Sequence, residues 1–293
     1  MDFMIFACPK SGTTWLQRLL SSHPQVHCAE SRPFGDYFDP NIGGTVHLSV
    51  EKFVGFLMAY YSPFHPGFKE DHFKCSVTAR ILDQLEQEAR RLTAKPIYGE
   101  KLTPFPGTAR HCTRRIHDCW PNVRFVHLTR QGRDVIASGG AHHLNIRMVK
   151  TDGDARADIE KRLHERRIPD DIFDHFLGLW IEVVGAGLEA ENLFDRYLHM
   201  TYESWIEDPL ARAYQLFEFI GADTGDGLVE RCVEAASFKA LSGGRAPGEE
   251  DRNSFFRKAV SGDGQFWLSA EQKKRFEEEA GEAQQRLEMR SGK

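Results

Sequence analysis

The sequence predicts an α/β fold, a single domain over residues 1–293 with a central parallel β-sheet flanked by helices. Two observations carry this. Short apolar runs alternate with helical patterns along the chain, the signature of a sheet covered on both faces. The first such run, "DFMIFAC", breaks at a Pro-Lys-Ser-Gly turn that opens an amphipathic helix. No internal repeat or low-complexity linker divides the chain.

Taken in order, "DFMIFAC" reads as a buried strand, and the helix after it places Trp15, Leu16, Leu19 and Leu20 on one face. "ARILDQLEQEARRL" sets Ile81, Leu82, Leu85, Ala89 and Leu92 at helical spacing. "KPIYGEK" is a second strand, "VRFVHLTR" a third, and "GRDVIASGGAHHL" the helix that follows it. "RYLHMTYE" is a fourth strand. "DPLARAYQLFEFIG" is a fully punctuated helix, with Asp208 as cap, Pro209 in the first turn and Gly221 at the end. A last helix from about Ala270 spaces Phe276, Ala280, Ala283 and Leu287 by four, three and four.

Two segments fit the alternation poorly. Residues 34–75 hold ten aromatics, Phe34 and Phe38 among them, and residues 139–175 are rich in charge, His and Arg. Both are candidate substrate lids or pocket walls; filling of a second small core is the alternative for the aromatics.

Composition narrows the function classes. An apolar fraction of 41% and a charged fraction of 28% are ordinary for a globular protein. A net charge of -5 argues against a general nucleic-acid binder. Neither a targeting segment nor a membrane span is legible, so the expectation is a cytoplasmic protein with no membrane partner. The six cysteines form no C-x-x-C pair. "HCTRRIHDC" has spacings of no common zinc module and reads as a basic helix, so no metal is expected. Arg110, Arg114 and Arg115 on it read as a solvated face rather than a grip on an anionic acceptor.

The turn between the first strand and its helix is built for an anion. A helix N-terminus presents free N–H groups and the positive end of the dipole. Gly12 lets the backbone approach a ligand, Ser11, Thr13 and Thr14 add hydroxyls, and Lys10 adds a positive charge. It is not the Walker pattern: the lysine precedes the glycine, and the first glycine is missing.

"PKSGTTWL" resembles the 5′-phosphosulfate loop of sulfotransferases that use 3′-phosphoadenosine-5′-phosphosulfate (PAPS). "RQGRDVIAS" is similar to that family's 3′-phosphate motif, with Arg130, Ser138 and an internal Asp134. "YESWIEDPLARAYQLFEFIG", Ser237-Phe238 and "FFRKAVSGDG" follow in the family's order. Ala259 stands where the family usually has glycine, and Trp267 is displaced from the usual Gly-Asp-Trp.

The resemblance implies a P-loop nucleotide-kinase-like sulfotransferase fold, and PAPS as donor with PAP (adenosine 3′,5′-bisphosphate) as product. It implies in-line transfer to a small-molecule or sugar acceptor without a metal. Lys10 would stabilise the leaving phosphate. Arg130, Ser138, Arg257, Lys258 and Ala259 would hold the 3′-phosphate, while Trp15, Phe238 and Tyr202 contact adenine. "YGEKLTPFP" resembles the Glu-Lys-Thr-Pro segment of carbohydrate-type members, interrupted by Leu102, which makes Glu100 the general base with Lys101 beside it. His142 and His143 are the alternative bases. Two rival readings stand beside this one: a P-loop-type nucleotide or metabolite kinase, and a non-catalytic module that binds adenosine bisphosphate. Oligomeric state is not legible.

Overall fold

The structure is a computed structural model that describes residues 1–30, 37–38, 46–47, 50–64, 70–251, 254 and 256–291. Phe34 lies outside the described residues, as does much of the 34–75 segment around it. Strands β1 (Phe3–Ala7), β2 (Val26–Glu30), β5 (Ile97–Leu102), β6 (Arg124–Thr129) and β7 (Tyr197–Thr201) form one sheet in the order β2-β5-β1-β6-β7. Every pairing in it is parallel. A two-residue pair, β3 (Tyr37–Phe38) and β4 (Val46–His47), runs antiparallel, and Phe38 is described only as part of it.

All five residues of β1 are buried because both faces of the sheet are covered. Met4 and Phe6 point into one apolar cluster with helices α4 (Ala109–Cys119), α5 (Gly132–Val149), α7 (Asp170–Glu189) and α13 (Ala270–Ser291). Phe3, Ile5 and Ala7 point into the other, with α1 (Thr13–Ser22), α9 (Pro209–Ile220) and α10 (Leu228–Ala235). Phe3, Phe6 and Phe125 are fully buried, each contributing about 1.5–3 kcal/mol by removal from water.

Three differences from the sequence reading have physical causes. The sheet has a fifth strand, β2, at its edge, where His27 and Glu30 face partly or wholly to solvent and leave no apolar run to read. The helix α3 (Glu70–Thr93) buries Thr78, Leu82 and Glu86, while Leu85 and Leu92 are exposed. Its inner stripe is partly polar because Arg90 pairs with Glu86 at 2.5 Å and with Asp2 at 2.6 Å. Residues 139–175 are helical and partly core. Leu144, Leu163, Ile168, Ile172 and Phe173 are buried across the end of α5, α6 (Gly153–Glu165) and the start of α7.

The helices expected at 209–220 and from 270 form as read. Asp208 accepts from the Ala211 N–H at 2.9 Å, and Gly221 closes α9 at φ +81°. Phe276, Ala280 and Leu287 are buried. Arg115 of α4 and His111 both reach Glu51 of α2 (Val50–Tyr61), at 2.5 and 2.7 Å, which ties α2 to the sheet's helical layer. Arg110 pairs with Glu189 at 2.9 Å. All six cysteines are free. Among the described residues no helix is long and apolar enough to cross a membrane.

Candidate active site

Parallel strands end on one edge, so the segments after β1, β5, β6 and β7 converge there, beside the central strand where the strand order reverses. This is where open α/β sheets bind ligands.

The segment after β1 is a tight turn. Ser11 N–H bonds the Cys8 carbonyl at 3.3 Å, and Gly12 enters α1 at φ +87°. Glycine is required there twice over. The conformation is left-handed, and a Cβ would lie 2.6 Å from the Tyr202 ring. No side chain caps α1 and no acidic residue lies in its first turn, so its leading N–H groups remain for a ligand. Ser11 is fully buried, and its Oγ has no hydrogen-bond partner. A buried hydroxyl without a partner is costly unless something is bound to it. Lys10 sits at φ +72°. Burial, then the neighbouring Lys101 ammonium, push its pKa down to about 8.

Arg130, at the end of β6, joins this turn to two other segments. It is 7% exposed; it donates to the Lys10 carbonyl at 3.0 Å and to the Val260 carbonyl at 3.2 Å. Its guanidinium lies over the Tyr202 ring at 4.3 Å, and its own carbonyl accepts from the Trp180 indole at 3.0 Å. Its Nε is buried without a hydrogen-bond partner, a second unused donor beside the turn. Ser138 lies two turns along α5, half-buried, on the helix face that carries Asp134. Tyr202, read from sequence as an adenine contact, packs its ring against Gly12 and Arg130.

The segment 257–264 closes the site from the other side. Arg257 pairs with Glu250 at 2.5 Å and also with Asp263, and Lys258 reaches Asp263 at 2.9 Å. Burial opposes ionisation of Asp263, but the two cations outweigh it and hold its pKa low. Ala259 adopts φ +52°, the left-handed conformation its missing glycine would have taken freely.

Trp15 is tied to the segment that leads into Phe238. The Trp15 indole donates to the Ala236 carbonyl at 2.6 Å, just before the helix α11 (Phe238–Leu241). Trp15 also packs edge-on against Trp205 at 5.2 Å. Arg245 lies over the Phe238 ring at 5.3 Å.

Glu100 and Lys101 are placed on opposite faces of the sheet. Glu100 aligns with Met4 and Lys101 with Ile5, so their side chains leave β5 in opposite directions. Glu100 is 5% exposed and accepts from the Tyr98 hydroxyl at 2.9 Å. Lys101 is buried and pairs with Glu30 at 3.1 Å. His142 and His143 are half-buried on α5. Burial, then Lys10 and His143, push His142 down to about 4, so it is neutral at pH 7. Among the described residues no group of three or more His, Cys, Asp or Glu is placed to hold a metal ion.

The sequence reading missed the helix α7, although "FLGLWIEVVGAGL" is an apolar run, and it missed what Tyr98, Trp180 and Asp134 touch. Only the run could have been read without the fold.

Fold and site together define a parallel α/β protein with a glycine turn and an uncapped helix start at the end of its central strand. Residues 2–226 match the family model described as the sulfotransferase family. The chain belongs to that family. No curated protein sequence matches it. Among solved structures it is similar to mouse sulfotransferase SULT7A1 complexed with PAP, at 17% identity and a TM-score of 0.58, over 99% of this chain and 88% of that one. The sulfotransferase domain of the Synechococcus olefin synthase is 20% identical, with a TM-score of 0.49, over 78% of this chain and 75% of that one. Retinol dehydratase in complex with retinol and PAP is 18% identical, with a TM-score of 0.48, over 96% and 80%. The mouse enzyme carries the structural comparison, and what it supports is the fold.

Proposed function

We propose that this sulfotransferase uses PAPS and moves its sulfuryl group to a hydroxyl, less readily an amine, of a small-molecule or carbohydrate acceptor. The carrying observation is Arg130, which bonds the backbone of the first turn and that of the 257–264 segment with one guanidinium. In this reading Lys10 serves one end of an adenosine bisphosphate, and Arg130, Arg257 and Lys258 serve the other. The unpartnered Ser11 Oγ and Arg130 Nε are the donors such a ligand would use.

In this reading the Ser11–Thr14 turn and the N-terminus of α1 hold the 5′-phosphosulfate. Arg130, Ser138, Arg257, Lys258 and the Ala259 N–H hold the 3′-phosphate. Arg257 and Lys258 exchange part of their contact with Asp263 for it. Trp15 and Phe238 flank the adenine. The bound donor supplies an activated sulfonate whose leaving group is a phosphate. Lys10 neutralises the charge that grows on that phosphate, and positioning with charge stabilisation does most of the work. Glu100 takes the proton from the acceptor hydroxyl, with His142 or His143 as the alternative. In this reading the enzyme is a single domain that works in the cytoplasm, a compartment that six free thiols support.

Turnover of labelled PAPS in excess chelator, across a panel of phenols, alcohols and sugars, tests this reading. Transfer without magnesium supports it. Magnesium-dependent use of ATP instead would mean a kinase. Binding of PAP with no transfer to any acceptor would mean a binding module.

A further inference from the structure

We propose that Asp134 is a positioning residue for the 3′-phosphate end of the nucleotide, acting through the 257–264 segment. The inference rests on the nucleotide reading above.

Asp134 is 2% exposed in the first turn of α5, where a carboxylate would ordinarily face its own helix's free N–H groups. Its carboxylate instead crosses to the other segment. One oxygen accepts from the Ser261 hydroxyl at 3.0 Å and the Gly262 N–H at 2.7 Å; the other accepts from the Gly264 N–H at 2.8 Å. Arg130 lies 3.8 Å away. The close approach is built into the backbone: a Cβ on Gly264 would sit 2.6 Å from the Arg133 Cβ and 2.7 Å from its carbonyl carbon.

The segment needs such a clamp. It carries Ala259 at φ +52°, a conformation that L side chains adopt at a cost. Its two cations, Arg257 and Lys258, close on Asp263, which lies between the two N–H groups that Asp134 holds. Fixing 262 and 264 therefore fixes Asp263, and Asp263 aims the cations. A bare carboxylate this close would repel a phosphate. Three donors and the Arg130 charge satisfy this one, so it organises the anion site without opposing the anion.

The test is calorimetric titration of the intact chain with PAP and with AMP, which lacks the 3′-phosphate. Asp134→Asn keeps the shape but cannot accept all three hydrogen bonds. The expected result is a PAP affinity lower by about tenfold or more, the scale of a lost charge-assisted hydrogen bond, with AMP affinity unchanged. The KM for PAPS should rise while kcat holds. Equal losses for both nucleotides, or no loss for either, would overturn the inference, since a merely structural role gives no preference for the 3′-phosphate. If Asp134→Asn does not fold, Ser261→Ala removes one of the three ties and should give a smaller loss confined to PAP; an unchanged PAP to AMP ratio overturns the proposal. A wild-type chain that does not prefer PAP over AMP overturns the nucleotide reading itself, and the inference with it.

Discussion

Lys10 meets two demands at once: it lies in a left-handed turn and it is buried beside another lysine. Burial and the second ammonium raise the cost of its charge, which suits a residue whose partner is an anion. With a pKa near 8 in the free protein, Lys10 is charged below that pH and loses its proton above it. Anion binding favours the charged form, so PAP affinity should be flat up to about pH 7 and fall as pH passes through 8. The fall should vanish in Lys10→Gln. Lys10→Ala should lower kcat by about 10²–10³-fold, the effect of removing one preorganised donor, with PAP still bound at the lower affinity the wild-type chain shows well above pH 8. Glu100→Gln should lower kcat by about 10²-fold or more if Glu100 is the base, without changing PAP affinity. Near-normal turnover would move that role to His142, and His142→Gln would then carry the loss. At this scale the sequence was readable where a motif names a backbone position: Lys10, Gly12 and Arg130 meet at the turn because strand ends place them there. It was not readable where two distant side chains meet. Nothing in "RQGRDV" announces that the Arg130 carbonyl accepts from Trp180, or that Asp134 accepts from the Gly262 and Gly264 N–H groups.

Elements were legible in proportion to their punctuation. The α9 helix has a cap, a proline and a closing glycine, and forms as read. The α7 helix carries eleven buried residues and a Pro-Asp-Asp start but no closing glycine, and β2 is a short edge strand with polar positions. Helix α3 shows a further limit, because its inner stripe includes a glutamate, Glu86, that pairs with Arg90 one turn on, which in turn reaches Asp2 far away in the chain. Two predictions belong to elements. Gly12→Ala should cost stability and nucleotide affinity together, since it forces a Cβ into the Tyr202 ring and into a left-handed turn; a thermal melt and a PAP titration check both. Arg115→Ala should destabilise the chain by about 3 kcal/mol in denaturant unfolding by leaving the buried Glu51 with only His111. Although burial opposes ionisation of Glu51, His111 and Arg115 pull its pKa down to about 2. Its contribution is therefore present above the ordinary glutamate range and is lost as pH falls toward 2.

For the whole molecule, alternation of strands and helices and the order of five short motifs were enough to place the chain in its family and fold. The acceptor was not legible, because an aromatic-rich stretch announces apolar contact but not which molecule makes it. The central claim is that the turn after β1 and the segment from Arg257 onward grip opposite ends of one adenine nucleotide. Calorimetric titration with PAP in chelator, on the wild-type chain and on Arg130→Ala, tests it most directly. Saturable one-site uptake, stronger than for ATP and largely lost in the variant, is the expected result. No uptake of PAP, or uptake that Arg130→Ala leaves untouched, would contradict it.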